Sequence, residues 1–176
     1  MTSTDPRVSD SHLISTDPRV SETHLISTDP ALLDLDVIHG VLSTCYWSPG
    51  IARERIAHAI QNSLCFGVYD TTLPFRRAQE GPAHRLPAQV GFARIVTDRA
   101  TFAYLCDVFI IESHRKMGLS KRLMDAVMAH PDLRGVRRLC LFTRDAHSLY
   151  TRYGFTPMPE PARYLERLDK EIYKHP

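Results

Sequence analysis

Six residues, Arg115-Lys116-Met117-Gly118-Leu119-Ser120, combine properties that suit them to hold an anion. Gly118 has no Cβ, so a phosphate can approach the main chain there. Arg115 and Lys116, with Lys121 and Arg122 just beyond, make the surroundings electropositive. The hexad separates an apolar run, from Phe102 to Ile111, from a helical pattern in which Leu119, Leu123, Ala126 and Val127 share one face. A helix starting there leaves its first backbone N–H groups without intrahelical partners, which is how a pyrophosphate cradle is built. A plain strand-to-helix turn also contains Gly and Lys, and these six residues alone do not separate the two readings.

A second stretch narrows the choice. Leu139-Cys140-Leu141-Phe142-Thr143 is a short apolar strand, and the segment from Arg144 to Phe155 follows it. Ala146, Leu149, Tyr150 and Tyr153 fall on one face of a short helix that Gly154 ends as C-cap. Together, R-x-x-G-x-S after a hydrophobic strand and A-x-x-L-Y-x-x-Y-G-F downstream resemble the GNAT superfamily of acetyl-CoA-dependent N-acetyltransferases. The paired motifs are more specific than either alone, and the resemblance runs from about Leu25 to Phe155. The stretches DVFIIESHR, RRLCLFTRDAH and GFARIVTD are also similar to a bacterial subgroup of that superfamily whose substrates are unknown. Two positions depart from the family pattern. Ser120 stands where Gly or Ala is usual, and is small enough to keep the cradle. Thr143 stands where many members have Asn, which leaves one cofactor hydrogen bond open.

The resemblance implies an α/β (α+β) architecture, the GNAT acyl-CoA N-acyltransferase fold. That fold has a mixed, mostly antiparallel sheet, a central pair of parallel strands that splay apart, and helices on both faces. It implies transfer of an acetyl group from acetyl-CoA, the co-substrate, directly to a primary amine. The N–H groups from Lys116 to Lys121, across Met117, Gly118, Leu119 and Ser120, would dock the pyrophosphate, beside Arg115. Val108, Phe109 and Ile110 would pair with the pantetheine arm like an extra strand, with the Ile110 N–H polarising the thioester carbonyl. Thr143 and His147 would line the thiol end. Tyr150 is the candidate general acid; a phenol near ~10 protonates a thiolate near ~8.5 only with help from positioning. A core tyrosine with a hydrogen-bonded hydroxyl is the competing reading. The base is less defined. Some relatives carry Glu where this chain has Tyr104. Asp107, in an apolar strand, is the leading carboxylate, since burying one is costly unless it is paired. A structural salt bridge competes with a catalytic role for it, and Asp98, His114, His147 or a water chain are alternatives. Tyr46, Trp47, Arg94 and Tyr104 are expected in the acceptor pocket. A GNAT-like domain that binds acyl-CoA without turnover, as a sensor or interaction module, is the rival function.

The elements that must position these groups follow from periodicity. His24 to Ser27 reads as a first strand, after which Thr28 or Asp29 caps a helix opened by Pro30. Leu35, Ile38, Leu42 and Cys45 form a helical stripe that Tyr46-Trp47-Ser48-Pro49-Gly50 breaks; Ala52, Ile56, Ala59 and Ile60 form a second. Residues 63–70 and 89–98 read as strands, with a Pro-, Arg- and Ala-rich loop from Thr71 to Ala88 between them. A strand, the helix from Leu119 and another strand make a right-handed crossover, so the strands ending near Ile111 and Thr143 are parallel neighbours. The resemblance places a last strand at Arg163-Tyr164-Leu165, although Leu165, Leu168 and Ile172 also suit a helix.

Length and composition limit the partners. One GNAT domain is expected over residues 23–168, with a charged tail at 169–176. Residues 1–22 read as a poorly packed extension, because Ser3 to Ile14 recurs as Ser15 to Ile26 and two copies cannot stack as a solenoid. A net charge of +2 is too small to argue for nucleic acid. No apolar run is long enough for a membrane span, and no secretory pattern opens the chain. Cys45, Cys65, Cys106 and Cys140 are dispersed, with no C-x-x-C pair, so they read as free thiols of a cytoplasmic protein and no metal is expected. The acceptor, a small molecule or a peptide, is not legible, and homodimerisation is left open.

Overall fold

The computed structural model describes residues 23–74, 76–77 and 85–173. The expected extension at 1–22 lies outside the described residues. Five strands make one sheet in the order β1 (His24–Ser27), β2 (Leu64–Asp70), β5 (Ala88–Thr97), β6 (Phe102–Ile110) and β7 (Arg138–Leu141). Neighbours run antiparallel except β6 and β7, which are parallel. Within the segment read as a loop, β3 (Arg76–Arg77) and β4 (Arg85–Leu86) pair as a short separate ladder. The helices are α1 (Leu35–Leu42), α2 (Arg53–Gln61), α3 (Leu119–Ala129) and α4 (His147–Tyr150). Among the described residues, no helix is long and apolar enough to cross a membrane.

Alternation along the strands puts helices on both faces. Leu64, Phe66 and Val68 of β2 pack with Leu119, Leu123, Met124 and Val127 of α3. Cys65 turns the other way, toward Ile38 and Leu42 of α1, Ile56 of α2, and Phe92 and Phe109 of β5 and β6. Covered on both sides, β2 is buried along its whole length. Each large apolar side chain contributes roughly 1.5–3 kcal/mol on burial, so α3 is anchored firmly enough to tolerate strain just before its first turn.

Two expectations need correction. The helix predicted from Pro30 is divided. Asp29 accepts from the Ala31 N–H at 2.9 Å and caps only a 3₁₀ turn, Pro30–Leu32. Asp34 then opens α1, accepting from the N–H groups of Asp36 and Val37 at 3.0 and 3.1 Å. The strand expected at Arg163-Tyr164-Leu165 does not form either. Pro161–Arg163 is a 3₁₀ turn, and Leu165 is 90% exposed. The Arg163 and Tyr164 N–H groups donate to the Glu160 and Pro161 carbonyls at 3.0 Å within that turn and are not free for a ladder. Among the described residues β7 therefore ends the sheet, and the parallel pair lies at its side rather than at its centre.

The splay implied by the family resemblance has a local cause. The β6–β7 ladder runs from Phe102↔Arg138 to Leu105↔Leu141 and stops, while β6 continues to Ile110. At that point the β5–β6 register shifts, with Phe92 opposite Phe109 and Arg94 opposite Cys106, so β6 carries an extra residue. Asp107 sits in this bulge at φ 55°. A bulge bends its strand and adds twist, which takes β6 away from β7 and leaves Cys106 to Ile110 without a strand partner on that side.

Candidate active site

The turn between β6 and α3 presents its main chain. Lys116 and Gly118 both take left-handed conformations, at φ 64° and 76°. The Arg115 N–H is used by the Glu112 carbonyl, and the Lys121 and Arg122 N–H groups by the Gly118 carbonyl. Among the described residues, none accepts from the N–H groups of Lys116, Met117, Gly118, Leu119 or Ser120. At α1 the Asp34 carboxylate fills the corresponding role, whereas no side chain caps α3. A Cβ built on Gly118 would meet nothing within 4 Å, so the space above the turn is open. Free amides at the positive end of an eleven-residue helix, with Arg115 and Lys116 alongside, can donate to an anion's oxygens.

The gap between β6 and β7 opens into a cleft of about 1020 Å³. The unladdered backbone of β6 forms one wall. Ser120 and Arg115 bring the cradle to its edge, and α4 with the loop before it forms the opposite side. Arg115 Nε donates to the Ile110 carbonyl at 3.2 Å, tying the turn to the strand. Tyr150 is only 8% exposed, and its ring packs edge-on against Phe155 at 5.9 Å. Its hydroxyl makes no hydrogen bond to a described residue, and the side chain lines the cleft. Burial raises the Tyr150 phenol above its ordinary value, with Tyr46 and Asp145 adding to the effect. The phenol thus keeps its proton through neutral pH.

Asp107 anchors the other end. Its Oδ2 accepts from Arg94 Nε at 2.7 Å and its Oδ1 from Trp47 Nε1 at 3.2 Å. Arg94 also donates to Ser63 Oγ at 3.2 Å. Trp47 stacks edge-on with Tyr46 at 4.8 Å, and the Arg144 guanidinium lies 3.9 Å above the Tyr46 ring. This chain of contacts ties the segment after α1 to the loop after β7 across the cleft mouth. The Arg94 and Asp107 side chains are 19% and 11% exposed, so their ion pair is little screened. Asp107→Asn keeps the shape and tolerates the left-handed backbone, but leaves Arg94 without its counter-charge. We expect it to destabilise the fold by roughly 3 kcal/mol, measured by urea unfolding; a change within 0.5 kcal/mol, about the scatter of surface substitutions, would contradict the ion pair as drawn.

Most of the residues expected in the site converge. Tyr46, Trp47, Arg94, Tyr104, Asp107, Val108, Phe109, Ile110, Thr143 and Tyr150 all line the cleft. Several are used differently from expectation. His147 is exposed at the start of α4 and lies outside the lining, because the helix turns Ala146, Leu149 and Tyr150 inward instead. The Lys121 N–H is bonded within α3 and its ammonium pairs with Asp125 at 3.7 Å. Leu119 buries its side chain in the core, leaving only its amide for the turn. Thr143 Oγ accepts from the Ala146 N–H at 3.0 Å and so holds the loop. Of the alternative bases, Asp98 closes the β5–β6 turn through the N–H groups of Ala100, Thr101 and Phe102, and His114 pairs with Asp70; neither lines the cleft. The sequence reading missed Phe142 and Arg144. Phe142 is 63% exposed at the cleft and touches the rings of Tyr104 and Tyr164. Phe142 read as part of the apolar strand, which ends at Leu141 instead and leaves the ring at the cleft.

A splayed parallel pair, a bulge at the divergence and a glycine turn of free amides define an acyltransferase of the GNAT fold. The chain belongs to the GNAT acetyltransferase family. Residues 82–157 match the acetyltransferase (GNAT) domain model. The candidate acetyltransferase FG08082 of Gibberella zeae is 33% identical over 134 residues, 68% of this chain and 71% of that protein. A GNAT-family protein of Xanthomonas campestris, of known crystal structure, is 46% identical, with a TM-score of 0.74 over 85% of this chain and 96% of that one. Glucosamine-6-phosphate N-acetyltransferase of Arabidopsis thaliana, at 12% identity, a TM-score of 0.56 and coverage of 84% and 99%, shares the fold alone.

Proposed function

We propose that the protein transfers an acetyl group from acetyl-CoA directly to a primary amine. The row of unpartnered amides from Lys116 to Ser120, beside the unladdered edge of β6, carries this reading. These donors fit a diphosphate in number and kind, the space over Gly118 is open, and Arg115 and Lys116 match its charge. The edge of β6 suits an amide-bearing arm laid along it as a further strand. Bound there, acetyl-CoA would supply a thioester already activated toward amines.

The chain's own residues then have distinct tasks. The Ile111 N–H donates to the Val90 carbonyl, so by alternation Phe109 faces β5 while Val108 and Ile110 face the gap. The Ile110 N–H is our candidate donor to the thioester carbonyl. The Phe109 ring packs in the core against Phe92. Tyr150 would give its proton to the departing sulfur. Asp107 would receive the amine and its proton; each of its oxygens has a single donor and so keeps accepting capacity. Holding both reactants in this frame is itself a large rate term.

Direct transfer is favoured over an acyl-enzyme because the cleft thiols are poor nucleophiles. Burial pushes the Cys106 thiol up to about 12 and raises Cys45 as well. The aromatic rings of Tyr46, Trp47 and Tyr104 around the Asp107 carboxylate suit an amine on a small molecule or a peptide. Calorimetric titration with acetyl-CoA, paired with thiol release across a panel of amines, tests the proposal. Saturable binding with thiol release from one class of amine is the expected result. Binding with no release from any amine would favour the sensor, and no binding would remove both readings.

A further inference from the structure

Away from the cleft, at the β1 side of the sheet, three side chains from distant parts of the chain meet. His24 and Asp70 are cross-strand partners on β1 and β2. His114 reaches them from the 3₁₀ turn Glu112–His114, which precedes Arg115. Asp70 Oδ2 lies 3.1 Å from His114 Nε2, and the two histidine rings meet edge-on at 5.8 Å. One potential ligand atom from each residue lies within 4.8 Å of the other two. His24 is 3% exposed and Asp70 6%, so the cluster is largely shielded from water.

The His24 ring does not fit an ordinary structural role. Its Nε2 is buried and has no hydrogen-bond partner among the described residues. Leaving such an atom unsatisfied costs roughly 1–3 kcal/mol. Its Nδ1 lies 2.9 Å from Thr23 Oγ. If Nδ1–H donates to that hydroxyl, Nε2 carries a free lone pair. His114 is arranged in the same way: Nδ1 is 2.8 Å from Ser113 Oγ, which leaves Nε2 for Asp70. Asp70 is held in turn by the Thr72 N–H and hydroxyl, at 2.8 and 2.6 Å on Oδ1, leaving Oδ2 turned inward. Each of the three groups thus has a polar neighbour that orients it, while His114 Nε2 and Asp70 Oδ2 contact each other and His24 Nε2 is left without a partner among the described residues. That is the outer-shell pattern of metal-binding imidazoles and carboxylates.

We infer that His24, Asp70 and His114 bind a divalent transition-metal ion through His24 Nε2, His114 Nε2 and Asp70 Oδ2. Two imidazoles and one carboxylate are a ligand set for Zn²⁺, with water in the fourth position. Tetrahedral bonds of 2.0–2.1 Å place ligand atoms about 3.3 Å apart. The His114–Asp70 pair, at 3.1 Å, already has that spacing, and His24, within 4.8 Å of both, needs to close by at most about 1.5 Å. Other charges nearby act in both directions. Arg122 of α3 donates to the His24 carbonyl at 3.0 Å and opposes a cation. Asp70 supplies the compensating charge, its Oδ1 held by the Thr72 N–H and hydroxyl. An ion here would join β1, the end of β2 and the start of the Arg115 turn. The role is structural and independent of the acetyl-transfer reading.

The test uses untagged, full-length protein stripped with chelator and titrated with Zn²⁺ against a chromophoric competitor. We expect one ion per chain and a rise in melting temperature on loading. Co²⁺ should give the visible absorption of a tetrahedral N/O site. His114→Gln, at the least buried ligand, should weaken Zn²⁺ at least 100-fold, with a melting curve of the metal-free variant establishing that it is folded. Asp70→Asn should weaken it comparably. Absence of one-to-one binding, or one-to-one binding unchanged in His114→Gln, would overturn the assignment.

Discussion

Gly118→Glu is expected to raise the dissociation constant for coenzyme A at least 100-fold while leaving the protein folded. Three effects act in the same direction. Gly118 sits at φ 76°, where a residue with a Cβ is strained by roughly 1–2 kcal/mol. The new carboxylate would enter the open space above the turn, where the diphosphate is proposed to lie, and repel it. It can also accept from the free amides, replacing the ligand with a cap. Losing two hydrogen bonds to a charged group, at about 1.5–3 kcal/mol each, already accounts for a 100-fold change. Gly118→Ala separates these effects. Its Cβ meets nothing within 4 Å, so it carries the backbone strain without the charge, and a much smaller loss is expected. Titration calorimetry reads both variants and melting curves establish that each is folded. Wild-type affinity in Gly118→Glu would remove the cradle.

Tyr150→Phe is expected to lower the rate of acetyl transfer about 100-fold, the lower part of the range for a positioned acid, and to change acetyl-CoA affinity less than threefold. The hydroxyl has no partner among the described residues, so its removal leaves no buried group unsatisfied and stability should change little. The pH dependence has a defined sign. Burial raises the folded-state pKa of this phenol above its ordinary value near ~10. The acid form therefore persists below pH ~10 and imposes no fall in rate there. The stability linked to the raised value is complete below the unfolded pKa and is lost as pH rises through the folded one. Steady-state kinetics across pH, with binding measured separately, checks both statements. Equal losses of rate and affinity would make Tyr150 a packing residue.

The parts legible in the sequence are those written in local pattern. The α3 stripe from Leu119, the glycine of the turn and the parallel crossover all follow from short-range spacing, and the structure carries each of them. The split of the first helix was missed because Asp29 and Asp34 are both sound N-caps, and propensity does not say that one caps only a 3₁₀ turn. The absent last strand rested on resemblance, against the local signal of Pro161. Within the site, Asp107 stood out as a carboxylate in an apolar strand. Its partners Arg94 and Trp47 come from other elements, and the pairing follows from a bulge that hydrophobic alternation does not announce. His24, Asp70 and His114 lie too far apart in sequence for any spacing rule to join them; the β1–β2 register and the turn after β6 do so.

A crystal structure with coenzyme A tests the central claim most directly. Diphosphate oxygens should accept from main-chain N–H groups between Lys116 and Ser120, with the pantetheine arm along the edge from Cys106 to Ile110. A diphosphate bound away from those amides, or an arm that leaves the β6 edge bare, would contradict it.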